Sequence, residues 1–264
     1  IQKRFKNMRT FKFMIASIAI VSALFLFASC EEEVVEPKIP TLEITENADL
    51  GKIIINSEGI TLYIFAKDVE GNSACEGGCL NSWPIYYQEE LEFGAGINAA
   101  DVGVITRTDG SKQNTYKGWP LYFFSGDKDA GDTNGEAASG VWFVAKPDYD
   151  FMVAEKVIDG ASQRYLVDEN GRTLYYFTND EPSRSNCTDG CLAAWPPFSS
   201  TSFVSPSTVA ADRFGLIDGN NGIQQTTFGE RPLYYYNQDI QRGDVNGQGV
   251  GGSWFILTED IIGN

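Results

Sequence analysis

Shifted by 112 residues, this sequence falls on itself. Tyr63 meets Tyr175, Cys75 meets Cys187, Cys79 meets Cys191 and Trp83 meets Trp195. Farther along, Tyr122 meets Tyr234, Asp132 meets Asp244, Gly135 meets Gly247 and Trp142 meets Trp254. So many coincidences at one offset, without a gap, mean a tandem duplication with units near 42–148 and 154–260. Within each unit a shorter phrase recurs after 59 residues, as LYIFAKD at 62–68, LYFFSGD at 121–127, LYYFTND at 174–180 and LYYYNQD at 233–239. The order is therefore A-B-A-B. A modules carry paired cysteines; B modules carry a Gly-Asp loop and a Trp-Phe segment. Domain boundaries are expected at 42–148 and 149–264, with two backbones that superpose without insertion.

The phrase has the character of a strand. In LYIFA, Tyr63 and Phe65 point to one face and Leu62 and Ile64 to the other, so both faces are apolar and the strand should be covered on both sides. KIIIN-SEG-ITLYIF reads as a hairpin, and RYLVD-ENG-RTLYYF repeats it. VGVITR, PLYFF and VWFVA read as strands, with FGLID, PLYYY and SWFIL as their copies. Val, Ile and aromatic runs between Gly, Asn and Asp clusters make this a mainly antiparallel β protein of two tandem units with short Cys-bearing helical turns. The closing Asp68, Asp127, Asp180 and Asp239 should end their strands and accept backbone N–H groups in the turn that follows.

Charge and composition exclude whole classes of function. The chain carries a net charge of −16 and contains no histidine. An acidic surface repels phosphate backbones, so nucleic acid is not an expected partner. Without histidine there is no Ser-His-Asp or Cys-His catalysis and no His-ligated zinc, iron triad or CxxCH haem. No nucleotide loop and no arranged nucleophile–base pair is visible, and no catalytic residue is assigned.

The N-terminus reads as an address. Basic residues Lys3, Arg4, Lys6, Arg9 and Lys12 precede the apolar run MIASIAIVSALFLFASC, with Met8 the expected initiator. That run is short for a membrane span, which needs ~20 apolar residues, and has the shape of a signal peptide over 1–29. FASC resembles a bacterial lipobox, which makes Cys30 the expected lipidated first residue of the mature protein. An acidic, proline-bearing tether follows over 30–41. Acidic residues just after such a cysteine resemble the surface-export signal of Bacteroidota lipoproteins. The expectation is an outer-membrane, lipid-anchored protein exposed at the cell surface.

Tyr-x-(Phe/Trp/Tyr)-x-x-Asp phrases, with CxxxC and Trp-Pro in alternate copies, resemble the predicted bacterial lipoproteins described as secreted repeats of unknown function. Tyr63–Asp68, Tyr122–Asp127, Tyr175–Asp180 and Tyr234–Asp239 all fit that pattern. The resemblance implies an exported, usually lipid-anchored repeat protein and brings no reaction with it.

Three features could hold chemistry. Cys75-x-x-x-Cys79 and Cys187-x-x-x-Cys191 each lead to a Trp-Pro step at Trp83 and Trp195. Spacing of four puts Cys, Cys and Trp on one face of a short helix that the Trp-Pro ends. In an exported chain the pairs should be local disulfides Cys75–Cys79 and Cys187–Cys191, and the alternative is a dithiol for Cu(I) or redox cycling. The B-module loops place Asp127, Asp129, Asp132 and Asn134, and in the second copy Asp239, Asp244 and Asn246, as hard oxygen donors of the kind Ca²⁺ takes. Phe143 and Phe255 stand where an EF-hand needs its bidentate Glu, so no EF-hand is present and an ordinary Asx-rich turn competes with an irregular Ca²⁺ site. Finally, 12 Tyr, 17 Phe and 5 Trp could form glycan platforms, although their period-two placement assigns most of them to the core. The reading is a non-catalytic binding or structural module with a cell-surface protein or glycan as partner; a thiol redox or copper-handling lipoprotein and a glycan-binding accessory protein are the alternatives.

Overall fold

The computed structural model of the chain describes residues 39, 41–220, 222–258 and 261. The leader at 1–29, Cys30 and most of the tether lie outside the described residues. In the first unit the strands are β1 (Leu42–Asn47), β2 (Gly51–Asn56), β3 (Tyr63–Phe65), β4 (Val102–Thr106), β5 (Lys112–Tyr116), β6 (Trp119–Pro120) and β7 (Trp142–Val144), with helix α1 (Cys79–Ser82) after β3. The second unit repeats the order with β8 (Phe151–Ile158), β9 (Ala161–Asp168), β10 (Tyr175–Phe177), α2 (Gly190–Ala194), β11 (Phe214–Asp218), β12 (Gln224–Phe228), β13 (Arg231–Pro232) and β14 (Trp254–Ile256). β1 pairs with β2, β3 with β7, and β4-β5-β6 form a three-stranded sheet; the second unit copies all three arrangements. Every ladder between these strands is antiparallel, as the alternating patterns predict.

β3 lies at the centre of its unit because all its side chains are apolar and all are buried. Leu62 N–H donates to Ile54 O at 3.0 Å and Ala145 N–H to Leu62 O at 2.8 Å, which draws β2 and β7 against the phrase. The core gathers here, with Leu62, Tyr63, Leu121, Tyr122, Phe143 and Val144 fully inaccessible.

PLYFF is not the strand its composition suggests. Leu121 N–H bonds Asn114 O, Tyr122 N–H bonds Tyr63 O and Phe123 N–H bonds Pro84 O. Three successive amides serve three different segments, so no ladder with one neighbour can form, and Tyr122 makes isolated bridges to Tyr63 and Ile85. The copy behaves alike, since Tyr234 bridges Tyr175 and Pro197.

The expected absence of insertions fails at the first hairpin. Leu42 lies opposite Asn56, whereas Phe151 lies opposite Asp168, so the second hairpin is three residues longer. It closes on Asp159 and Gly160, both at positive φ (52° and 82°), the type I′ geometry that matches strand twist. From β2 and β9 onward the offset of 112 holds.

The two copies pack into one compact body, Lys38–Asn264. Arg242, from the B loop of the second unit, reaches into the first: its Nε donates to Val69 O at 2.6 Å and its Nη1 to Lys117 O at 2.9 Å. The guanidinium lies 4.8 Å from the Trp119 ring centroid, and Trp119 Nε1 donates to Glu169 O at 2.9 Å. Ion pairs Lys67–Glu155 (3.2 Å) and Lys156–Glu70 (2.5 Å) flank this seam.

Candidate functional site

Each unit folds its two phrases across one another. Tyr63 and Tyr122 exchange both backbone hydrogen bonds, at 2.8 and 2.9 Å, as an antiparallel bridge. Their side chains then cross to the other module: Tyr63 OH donates to Asp127 Oδ2 and Tyr122 OH to Asp68 Oδ2, each at 2.6 Å. In the second unit Tyr175 OH donates to Asp239 (2.7 Å) and Tyr234 OH to Asp180 (2.8 Å). The Tyr and the Asp of one phrase thus never serve each other.

The second oxygen of each carboxylate ties down the loop behind it. Asp68 Oδ1 accepts Ala74 N–H at 2.7 Å, Asp127 Oδ1 accepts Asn134 N–H at 3.0 Å, Asp180 Oδ1 accepts Asn186 N–H at 2.7 Å and Asp239 Oδ1 accepts Asn246 N–H at 2.9 Å. The turn role expected of these residues is therefore half of what they do. Burial pushes the Asp68 carboxyl up to about 7 and the Asp239 carboxyl up to about 6, against the pull of their Tyr donors and loop amides. The same burial, reinforced by the facing carboxylates, raises all four Tyr hydroxyls far above their ordinary range, so they stay donors at any physiological pH.

Around each crossing stands a column of rings. Phe65 stacks on Trp142 (4.0 Å between centroids), Trp142 on Trp83 (3.8 Å), and Trp83 packs on Phe124 (4.5 Å). Phe177, Trp254, Trp195 and Tyr236 repeat the column at 4.2, 3.8 and 4.2 Å. Tyr63 and Tyr122 present their edges to Trp83 and Trp142. Gly135 completes the packing, because a Cβ there would sit 2.8 Å from Trp83 Cη2 and 2.9 Å from Tyr63 Cε1; Gly247 is under the same constraint. These tryptophans are buried and offer no face to a glycan.

Both cysteine pairs are bridged, Cys75–Cys79 and Cys187–Cys191, each with Cα atoms 5.4 Å apart. The helix is shorter than the spacing predicts. α1 begins at Cys79 and α2 at Gly190, so Cys75 and Cys187 lie in the preceding loop and share no helical face with their partners. Trp83 and Trp195 close the helices, donating to Cys79 O and Cys191 O as the Trp-Pro step predicts.

The acids expected to take Ca²⁺ do not converge. Asp127 and Asp239 are engaged as described. Asp132 Oδ2 accepts the N–H groups of Lys128 and Asp129, and Asp244 Oδ2 those of Ile240 and Gln241. Asn134 and Asn246 supply the amides that Asp127 and Asp239 accept, and no group of three or more Asp, Glu or Cys among the described residues is arranged to hold a metal ion. Turn hydrogen bonds thus engage carboxylate oxygens of Asp127, Asp132, Asp239 and Asp244.

Several residues of the crossing escape sequence reasoning. Arg107 donates to Cys75 O at 2.7 Å and to Ser73 Oγ, while Asn220 caps the equivalent Cys187 O at 2.8 Å. The offset aligns Arg107 with Gly219, so the duplication hides this shared role. Glu136 and Gln248 do align, and each accepts the N–H of a core strand, at Val144 (2.7 Å) and Ile256 (3.0 Å).

The comparisons with known proteins agree with this division. No curated protein and no solved structure matches the chain. The family described as "Secreted repeat of unknown function" matches at 44–86, 103–146, 156–199 and 215–258, one match on each A and B module. With four matches over well more than half its length, the chain belongs to the family of secreted repeats of unknown function.

Proposed function

We propose that this is an exported, lipid-anchored cell-surface protein whose β-repeats form a non-catalytic scaffold for binding or structure. The observation that carries this reading is the commitment of the motif: every Tyr–Asp pair, both tryptophan columns and both disulfides serve the fold, with carboxylates and hydroxyls satisfied by one another. A repeated motif wholly used in this way builds a rigid body and leaves function to the surface that differs between copies. Cys30 supplies the anchor and the acidic tether the reach from the membrane.

The test is fractionation of the full chain in its native host. Cys30→Ser should release the protein from membranes or leave its precursor uncleaved, and protease added to intact cells should degrade the wild-type protein. Unchanged mass and unchanged membrane association in the variant would overturn the anchor. Thiol titration of the exported protein should find no free cysteine in the two CxxxC pairs; reduced thiols carrying stoichiometric copper would replace the scaffold reading with a metal-handling one.

A further inference from the structure

One cleft of the first unit keeps polar groups that its copy uses for itself. It has a volume of about 250 Å³ and lies between the turn that ends β2 and the segment Ile85–Gln88, with Phe123 in its lining. Its walls are fixed by the backbone. Asn56 Oδ1 accepts the N–H groups of Glu58 (3.0 Å) and Ile60 (2.8 Å), which sets the turn. Tyr86 N–H donates to Leu121 O at 2.9 Å, and Gln88 N–H donates to Asn114 Oδ1 at 2.6 Å. The remaining groups serve nothing in the fold: Asn56 Nδ2, Ser57 Oγ, the Glu58 carboxylate and the Gln88 side-chain amide have no partner among the described residues.

In the second unit the same positions satisfy one another. Asp168 stands for Asn56 and accepts Tyr235 OH at 2.8 Å, and Arg172, in place of Ile60, lays its guanidinium 3.8 Å from the Tyr235 ring centroid. Ser200, in place of Gln88, donates to Asp150 at 2.5 Å, and Tyr87 becomes Ser199. The rings behind them keep their places. Phe123 meets Tyr86 at 5.6 Å and 86°, and Tyr235 meets Phe198 at 5.5 Å and 88°. Both units share one frame, and only the first leaves its side chains unpartnered.

We propose that this cleft binds a neutral pyranose ring of a glycan chain. Phe123 and Tyr87, both half-buried, supply a flat apolar surface for the C–H face of the sugar, whose polarised C–H bonds are attracted by the negative face of an aromatic ring. The amides of Asn56 and Gln88 and the hydroxyl of Ser57 offer donors and acceptors, and Glu58 accepts; neighbouring sugar hydroxyls need both. Such a set of a few convergent polar groups on a preformed concave surface is the usual form of a small-molecule site. An anion would meet Glu58 and a chain of net charge −16, with no cation in the lining; Lys112 Nζ, 5.9 Å from the Tyr87 centroid, lies outside it. The cation that covers Tyr235 has Asp168 beside it, a charge that Asn56 lacks.

This inference rests on the binding-scaffold reading and names a ligand class for it. The probes are the methyl pyranosides of glucose, galactose, mannose and N-acetylglucosamine, titrated into the isotope-labelled full chain. Each is taken to about 100 mM, enough to register millimolar binding. At least one should shift the amide resonances of Ser57, Glu58, Tyr87 and Gln88 saturably. Sorbitol, which has the hydroxyls without the ring, should leave them unmoved. Gln88→Ala should weaken binding about tenfold, the loss of one or two hydrogen bonds, with the remaining spectrum unchanged because this side chain is exposed. The triple substitution Asn56→Asp, Ile60→Arg, Phe123→Tyr copies the self-satisfied side chains of the second unit and should abolish binding. No shift with any of the four sugars, equal shifts with sorbitol, or undiminished binding in Gln88→Ala or in a folded triple variant would overturn the assignment. Saturable shifts of the same amides by methylguanidinium, at lower concentration than any pyranoside, would overturn it in favour of a cationic ligand. None of these outcomes touches the Cys30 fractionation or the thiol titration, so the two readings fail separately.

Discussion

A tyrosine hydroxyl and the carboxylate it serves lie 54 or 64 residues apart, although each has a potential partner five residues away. That is why the phrase was legible as a repeat and illegible as a contact: the spacing inside LYIFAKD is local, while the bond joins A to B. Exposure then separates the two units. Asp68 is fully buried, whereas its copy Asp180 is half-buried and reachable by water. Tyr122→Phe should therefore cost the full penalty of an unsatisfied buried acceptor, about 2–3 kcal/mol, and Tyr234→Phe distinctly less. Urea unfolding of the two variants checks this, and equal losses would count against it. The same carboxylates set a pH dependence. Asp68 and Asp239 hold their protons more tightly folded than unfolded, where a carboxyl titrates near about 3.9. Their contribution is complete below that value and fades as pH rises through about 6 for Asp239 and about 7 for Asp68. The thermal midpoint should thus be higher at pH 5 than at pH 8, and Asp68→Asn should flatten the difference. A midpoint that rises between pH 5 and pH 8 would contradict the assignment.

At the scale of elements, burial patterns were readable and partners were not. Two-sided apolar character put β3 in the centre, and Trp-Pro fixed the end of each helical turn. CxxxC fits helical spacing, yet the helix starts only at the second cysteine because Gly77, at φ 54°, leaves the helical region between them. In the second copy Asp189 does the same at φ 49°. The glycines divide sharply by what surrounds them. Gly135→Ala drives a Cβ into Trp83 and Tyr63 and should cost about 1–3 kcal/mol through displaced rings. Gly78→Ala meets nothing within 4 Å and should fall within about 0.5 kcal/mol of the parent. Similar losses for the two would show that the ring column yields easily. Each disulfide closes so short a loop that Cys75→Ser with Cys79→Ser should lower stability by about 2 kcal/mol and leave a folded chain. Loss of the native fluorescence of the tryptophan column in that variant would show the bridge to be essential to the fold.

For the whole molecule, the duplication was evident from one offset, yet how the copies meet was not, because the seam is built where they differ. Arg242 aligns with Ala130, so comparing one half with the other erases this position as noise. Within the second unit Tyr235 OH donates to Asp168 at 2.8 Å, a bond for which the first unit, with Phe123 and Asn56, has no equivalent. Arg242 joins the two repeats alongside Trp119 and the contacts of β8 with the end of β3. Its guanidinium is buried deeply enough to lower its proton affinity to about 10, yet it stays charged and gives the seam two hydrogen bonds to carbonyls and a ring contact. Replacing it with alanine leaves Val69 O and Lys117 O facing a gap and removes the packing of the side chain's stem. The flanking Lys67–Glu155 and Lys156–Glu70 pairs lie toward solvent and cannot compensate. Nearest-neighbour coupling is what makes repeat arrays unfold together, so weakening it should separate the units before it unfolds either. Calorimetry of the wild-type chain should show one transition, and Arg242→Ala should broaden or split it into two, with the cross-phrase Tyr–Asp pairs of each unit surviving the first. Arg242→Lys should restore little, because a single ammonium cannot reach two carbonyls in the fixed geometry of the guanidinium fork. A single sharp transition in Arg242→Ala, merely shifted to lower temperature, would mean that the hairpin contacts between β8 and the end of β3 carry the coupling and that Arg242 only adds to it.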